Sequence, residues 1–162
     1  MILRSPILVA CLFTVVACAT GTVKRDVDAP LPASGTAYEA AAETRLPAVL
    51  PSEPDGLHNV FRLSDNIVSG SEPETEEALR VLSAMGVKTI LSVDGKAPDH
   101  IGAARLGMRY VHVPIRYRGI SDTELLSIAK TFYELEGPFY VHCFHGVHRG
   151  PAAAAVGRVV LD

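Results

Sequence analysis

The chain has 162 residues, with 15 Lys or Arg against 18 Asp or Glu, for a net charge of -3 at pH 7. That length fits one domain with a modest core. The slight acidity and the lack of any long basic block argue against a nucleic-acid partner, which would want a basic patch or stripe.

The chain opens "MILRSPILVACLFTVVACATG". Arg4 precedes an apolar run from Ile7 to Ala17 that is broken only by Thr14. The run is too short to span a bilayer and has the layout of an export signal. "VVAC", Val15 to Cys18, resembles a bacterial lipoprotein signal, in which Cys18 becomes the lipidated first residue and a membrane tether. Plain cleavage after Ala17 or Ala19 is the rival outcome. Residues 1–18 are thus expected to be an export or lipoprotein signal, and the protein to be periplasmic or anchored to the cell envelope. Residues 19–56 are rich in Ala, Pro, Glu and Thr with little periodicity, and read as a flexible tether. Cys143 is then the one cysteine of the remaining domain, residues 57–162, and no intrachain disulfide framework is expected.

From His58 onward, strands and helices alternate. "NVFRLSDNIVSG" offers one or two short strands with a turn at Ser64 to Asn66. "SEPETEEALRVLSAMG" predicts a helix with Ser71 as N-cap, Glu74 closing a capping box, and Ala78, Val81, Leu82 and Met85 on one face. "VKTILSVDG" predicts a strand, "PDHIGAARLG" a short helix and "MRYVHVPI" the next strand. "SDTE", residues 121–124, fits a second capping box, opening a helix that buries Leu125, Ile128, Ala129 and Phe132. "GPFYVHC" makes the last strand. The fold class is α/β, with a mainly parallel central sheet flanked by helices. In such sheets the chemistry sits at the carboxyl ends of the strands, and there Cys143 falls.

The stretch "FYVHCFHGVHRGPAAAA" places five residues, Phe144, His145, Gly146, Val147 and His148, between Cys143 and Arg149. A loop from a strand end into a helix N-terminus turns its backbone N–H groups inward and forms an anion cradle backed by the helix dipole. Gly146 lets the backbone approach the anion, and Arg149 adds a planar fork able to grip two phosphoryl oxygens. A thiol at the mouth of that cradle should sit largely as thiolate, a nucleophile in place.

"HCFHGVHRG" resembles the signature of the cysteine-dependent protein tyrosine and dual-specificity phosphatases. The likeness extends over roughly residues 57 to 158, in the compact dual-specificity-like branch also found in bacteria. It implies a phosphatase-like fold and phosphomonoester hydrolysis through a cysteinyl-phosphate. The substrate would be a phosphorylated protein or a small-molecule phosphate, with no cofactor. By position, Cys143 is the nucleophile and Arg149 the clamp on the transferred phosphoryl oxygens. Residues 144–149 form the phosphate-binding loop, and His142 steadies it.

Three features depart from that pattern. Gly150 stands where the family usually has Ser or Thr, which should slow hydrolysis of the intermediate. The family's general acid lies on the loop after "YVHVPI", where this chain has "RYRGISD". Asp122 is the nearest candidate acid and Asp94 the second. Asp122 has a rival role in the capping box, and Arg116 and Arg118 are suited to attracting an anion. Finally, the family continues past the equivalent of Asp162, so the layer over Ala152 to Val156 is expected to be thin and the fold apparently short at its C-terminus.

Other readings compete. His142, His145 and His148 with Cys143 invite a metal site. One tight loop seldom turns every side chain to one ion, so none is expected. A catalytically weak oxyanion-binding module, and sulfur transfer of the rhodanese type, are the functional rivals; rhodanese loops are shorter. His58, His100 and His112 read as surface or packing residues.

Overall fold

The computed structural model describes residues 49–162; the expected signal with its Cys18, and most of the tether, lie outside the described residues. Packing starts before residue 57, because Ser52 pairs with Val60 and the Leu57 N–H bonds the Pro54 carbonyl. In chain order the elements are β1 (Phe61–Arg62), β2 (Ile67–Gly70), α1 (Glu76–Ala84), β3 (Thr89–Ser92), α2 (His100–Arg105), β4 (Arg109–His112), α3 (Asp122–Glu134), β5 (Phe139–His142) and α4 (Arg149–Leu161). One sheet runs β1-β2-β5-β3-β4, with only β1 antiparallel to its neighbour. This is the α/β fold with a mainly parallel sheet that the alternation of elements predicted.

The three central strands are short apolar runs because both of their faces are covered. Their side chains alternate between two cores. Val68, Ile90 and Tyr140 meet Ala78, Leu79, Leu82 and Ala103 from α1 and α2. Ile67, Leu91, Phe139 and Val141 meet Ile128, Phe132, Ala153 and Ala154 from α3 and α4. On that second side α4 comes close. A Cβ on Gly157 would lie 2.6 Å from the Phe132 ring, so only glycine admits the contact. Phe132 also meets Phe139 edge to face at 4.9 Å, tying α3, α4 and the sheet together.

Two local expectations shift. The first helix is capped by Thr75, whose hydroxyl accepts the Ala78 N–H at 3.1 Å, not by Ser71. Pro73 keeps the residue before it extended, and the Ser71 hydroxyl accepts the His58 N–H at 2.8 Å instead. The capping box of α3 forms as read, with Ser121 and Glu124 satisfying each other's N–H groups. Its buried stripe, however, begins a turn later. Ile128, Thr131 and Phe132 are buried, while Leu125 is 43% exposed.

Register sets up the site. Gly70 of β2 and Ser92 of β3 both lie opposite His142 of β5, and His112 of β4 lies opposite Ser92. The residues just beyond, Ser71, Cys143 and Val93, therefore emerge along one carboxyl edge. Truncating Phe132 to alanine should cost about 3–5 kcal/mol, read from urea unfolding. A loss below about 1 kcal/mol would mean the three-way contact contributes little.

Candidate active site

Cys143 follows β5 and is 3% exposed, at the floor of the loop that ends in Arg149. Gly146 has φ +76°, and a Cβ there would stand 2.4 Å from the Gly70 carbonyl carbon. The loop is thus pressed against the end of β2, in a conformation that only glycine supplies without strain. Two of its carbonyls are taken by other elements. The Glu72 N–H donates to Phe144 O at 3.2 Å, and Asn59 Nδ2 to His145 O at 3.0 Å. Among the described residues, the N–H groups of Phe144 to Arg149 have no acceptor, and His148 gives α4 no side-chain cap. Unpaired N–H donors and a helix N-terminus thus follow directly on the thiol, which is the set of groups an oxyanion needs.

Arg149 opens α4 and is held from several sides. Its Nη2 donates to Asp94 Oδ1 at 2.9 Å, with 12% and 10% of the two side chains exposed. Nη1 reaches the Ile115 carbonyl at 3.4 Å, and the guanidinium lies 4.5 Å from the centre of the Tyr117 ring. Nε is buried with no partner. The guanidinium plane is thus fixed while part of its donor capacity stays unused. Burial works against the guanidinium's charge, but the Asp94 carboxylate outweighs it and the pKa is raised.

His142 is buried, its ring 6.0 Å from that of Tyr140 in a stacked arrangement, and its Nε2 lies 2.7 Å from Tyr110 Oη. Burial pushes the Tyr110 phenol well above its ordinary value, so it stays protonated and meets Nε2 as a neutral partner. The other ring nitrogen, Nδ1, is buried without a hydrogen-bond partner. Burial also lowers the His142 pKa to about 4. A neutral ring locked at Nε2 props the nucleophile's strand and shuttles no protons.

His145 and His148 are exposed at the rim, against Phe144 and Tyr117 respectively. Val147 is exposed and Gly150 buried. A Cβ on Gly150 would sit 3.2 Å from Cys143 N, so this position touches the nucleophile's backbone. Asp122 is exposed in the first turn of α3, and the recess of about 280 Å³ beside Arg149 has no carboxylate among its lining residues. Asp94 does reach the site, but its Oδ1 is taken by Arg149 and by the Gly95 N–H at 2.6 Å. It orients the clamp. Sequence reasoning weighed Asp94 only as an acid and passed over Tyr110, Tyr117 and Asn59; the available signal was that β3 and β5 share a carboxyl edge.

A cysteine and an arginine with five residues between them, bracketing an N–H cradle at a strand-to-helix junction, define a phosphate-loop protein of the cysteine-nucleophile type. The chain belongs to the cysteine-based tyrosine and dual-specificity phosphatase superfamily. It is 30% identical over 128 residues to the dual specificity protein phosphatase TpbA of Pseudomonas aeruginosa, covering 78% of this chain and 57% of that protein. The chain spans about half the length of the curated relatives it matches. The crystal structure of P. aeruginosa TpbA is similar, with a TM-score of 0.58 and 28% identity over 73% of each chain. TpbA has also been solved in complex with pTyr, with a TM-score of 0.57 and 28% identity over 73% of this chain and 72% of that one. No family model matches the chain.

The buried His142 makes stability depend on pH. Unfolded chains bind its proton near pH 6.5 but the folded state only near 4. Unfolding free energy should therefore fall as pH drops through that window, by about 1.4 kcal/mol per unit from this residue. Denaturant melts of wild type and His142→Asn between pH 4.5 and 7.5 should show a shallower slope in the variant. Equal slopes would reject the assignment.

Proposed function

We propose that this chain hydrolyses phosphate esters through a cysteinyl-phosphate intermediate. The observation that carries the reading is the Cys143 thiol at the floor of a loop whose N–H groups are unpaired and which ends in an Arg149 guanidinium held in place by Asp94 and Ile115. A phosphoryl group seated there has its equatorial oxygens on the N–H groups and on Arg149, where charge develops in the transition state. The Cys143 thiolate attacks phosphorus, the S–P bond forms and the leaving oxygen departs. Water then hydrolyses the intermediate.

Leaving groups decide the substrate. A general acid ordinarily contributes about 10²–10⁴-fold, and among the described residues no carboxylate lines the recess beside Arg149. A phenol, with a pKa of about 10, leaves far more readily than an alkoxide, whose pKa is close to the roughly 15.7 of water. Among esters the site therefore favours phosphotyrosine-like aryl phosphates over phosphoserine. The pTyr bound by TpbA supports that preference. A weakly turning-over oxyanion binder is the second reading, favoured by Gly150. Export, with tethering to the cell envelope through a lipidated Cys18, completes the proposal. It rests on the charge and hydropathy of residues 1–18.

Hydrolysis of p-nitrophenyl phosphate by the protein should disappear in Cys143→Ser and fall about 10²–10³-fold or more in Arg149→Ala. Undiminished turnover in Cys143→Ser would exclude the mechanism, and a persulfide on Cys143 after thiosulfate would favour sulfur transfer. Gly150→Ser needs a shift of only a few tenths of an ångström at the Cys143 backbone. It should speed breakdown of the phosphoenzyme, raising the steady-state rate relative to the initial burst. An unchanged ratio of the two would mean that Gly150 does not limit turnover.

A further inference from the structure

The β4–α3 loop is docked on the clamping arginine. Ile115 receives the Nη1 bond, Tyr117 lies against the guanidinium, and the Tyr117 ring meets His148 edge-on at 6.2 Å. Two more arginines, Arg116 and Arg118, flank Tyr117 and are exposed. Among the described residues neither forms an ion pair. Arg116 lines the recess that also holds Arg149 and His148. With Arg118 it lines a second recess, of about 470 Å³, that shares Gly119 and Ile120 with the first. Glu124 is the one carboxylate of that second recess. It accepts from Ser121 N–H and Oγ, both at 2.7 Å. Those bonds first, then the charges of Arg116 and Arg118, hold its pKa below the ordinary value.

A departing oxygen must be met by a proton or by fixed positive charge. The recess beside Arg149 holds no carboxylate; its two guanidinium ions, Arg149 and Arg116, give up no proton at neutral pH, and Tyr117 and the exposed His148 complete its polar lining. The guanidinium ions give a departing alkoxide no proton. A phosphate leaving group, with a second pKa of about 6, needs no proton and carries charge that arginine forks bind well. We propose that the preferred substrate is a phosphoanhydride, whose leaving group is itself a phosphate seated on Arg116 and Arg118. The proposal rests on the cysteinyl-phosphate reading above and names its substrate class. The Cys143 sulfur attacks the terminal phosphorus, and the S–P bond forms as the bridging P–O bond breaks. The electron pair stays on the bridging oxygen, which departs as phosphate. Water then attacks the thiophosphate, the S–P pair returns to Cys143, and the water's proton passes to solvent as inorganic phosphate leaves.

The test compares inorganic diphosphate with p-nitrophenyl phosphate, in wild type and in the double variant Arg116→Gln, Arg118→Gln. Both positions are exposed, so the variant should fold. The readout is the kcat/KM for diphosphate divided by that for the aryl ester, which the double variant should lower about tenfold or more. An unchanged ratio would overturn the proposal, since the arginines would then only attract anions in general. So would a wild-type protein that hydrolyses the aryl ester and leaves diphosphate intact; the cysteinyl-phosphate reading would survive. Inactivity toward both substrates, in folded protein, would overturn both.

Discussion

The buried ion pair between Arg149 and Asp94 joins the start of α4 to the end of β3, and the geometry of the carboxyl edge depends on it. A helix placed after the cysteine strand needs its first turn fixed relative to a strand two steps away in the chain. The pair supplies that fixation at a place where neither charge is well solvated. A buried pair of this kind is weak evidence for net stability, because desolvation offsets much of the attraction. Its value here is positional. With Nη2 held by Asp94 and Nη1 by Ile115, the guanidinium plane is set before any ligand arrives, and less ordering remains to be done on binding.

The loop between Cys143 and Arg149 is fixed in a complementary way. Gly146 rests on the Gly70 backbone, and Glu72 and Asn59 each take one loop carbonyl. Spending the carbonyls outward leaves the N–H groups free, which is the electrostatic condition for gripping an anion. His142 contributes from below as a neutral, buried prop against Tyr110 and Tyr140. Among the described residues no carboxylate lines the recess beside Arg149, where fixed positive charge dominates. That balance links the missing acid and the arginine-bearing loop to the kind of leaving group that departs easily.

Much of this was legible in the chain. Apolar runs at alternating spacing with helical segments determined an α/β fold, because a strand buried on both faces and an amphipathic helix have different periods. The capping box at Ser121 and Glu124 was readable, since its two hydrogen bonds are local. The spacing of Cys143 and Arg149 across a strand-to-helix junction identified the phosphate loop for the same reason. Local geometry carried those readings.

What the tertiary structure decided was everything set by register and by contacts between distant residues. Ser71 looked like a helix cap until His58 claimed its hydroxyl. Asp122 was the nearest candidate acid in sequence, and in the fold it is exposed at the start of α3 and is not among the residues lining the recess beside Arg149. Asp94, far away in sequence, meets Arg149 because parallel strands β3 and β5 end level. Sequence by itself determined which elements form and that Cys143 falls at a strand-to-helix junction, because those follow from local periodicity and turn chemistry. Only the fold decided which charges face each other, because Coulomb partners are chosen by distance in space.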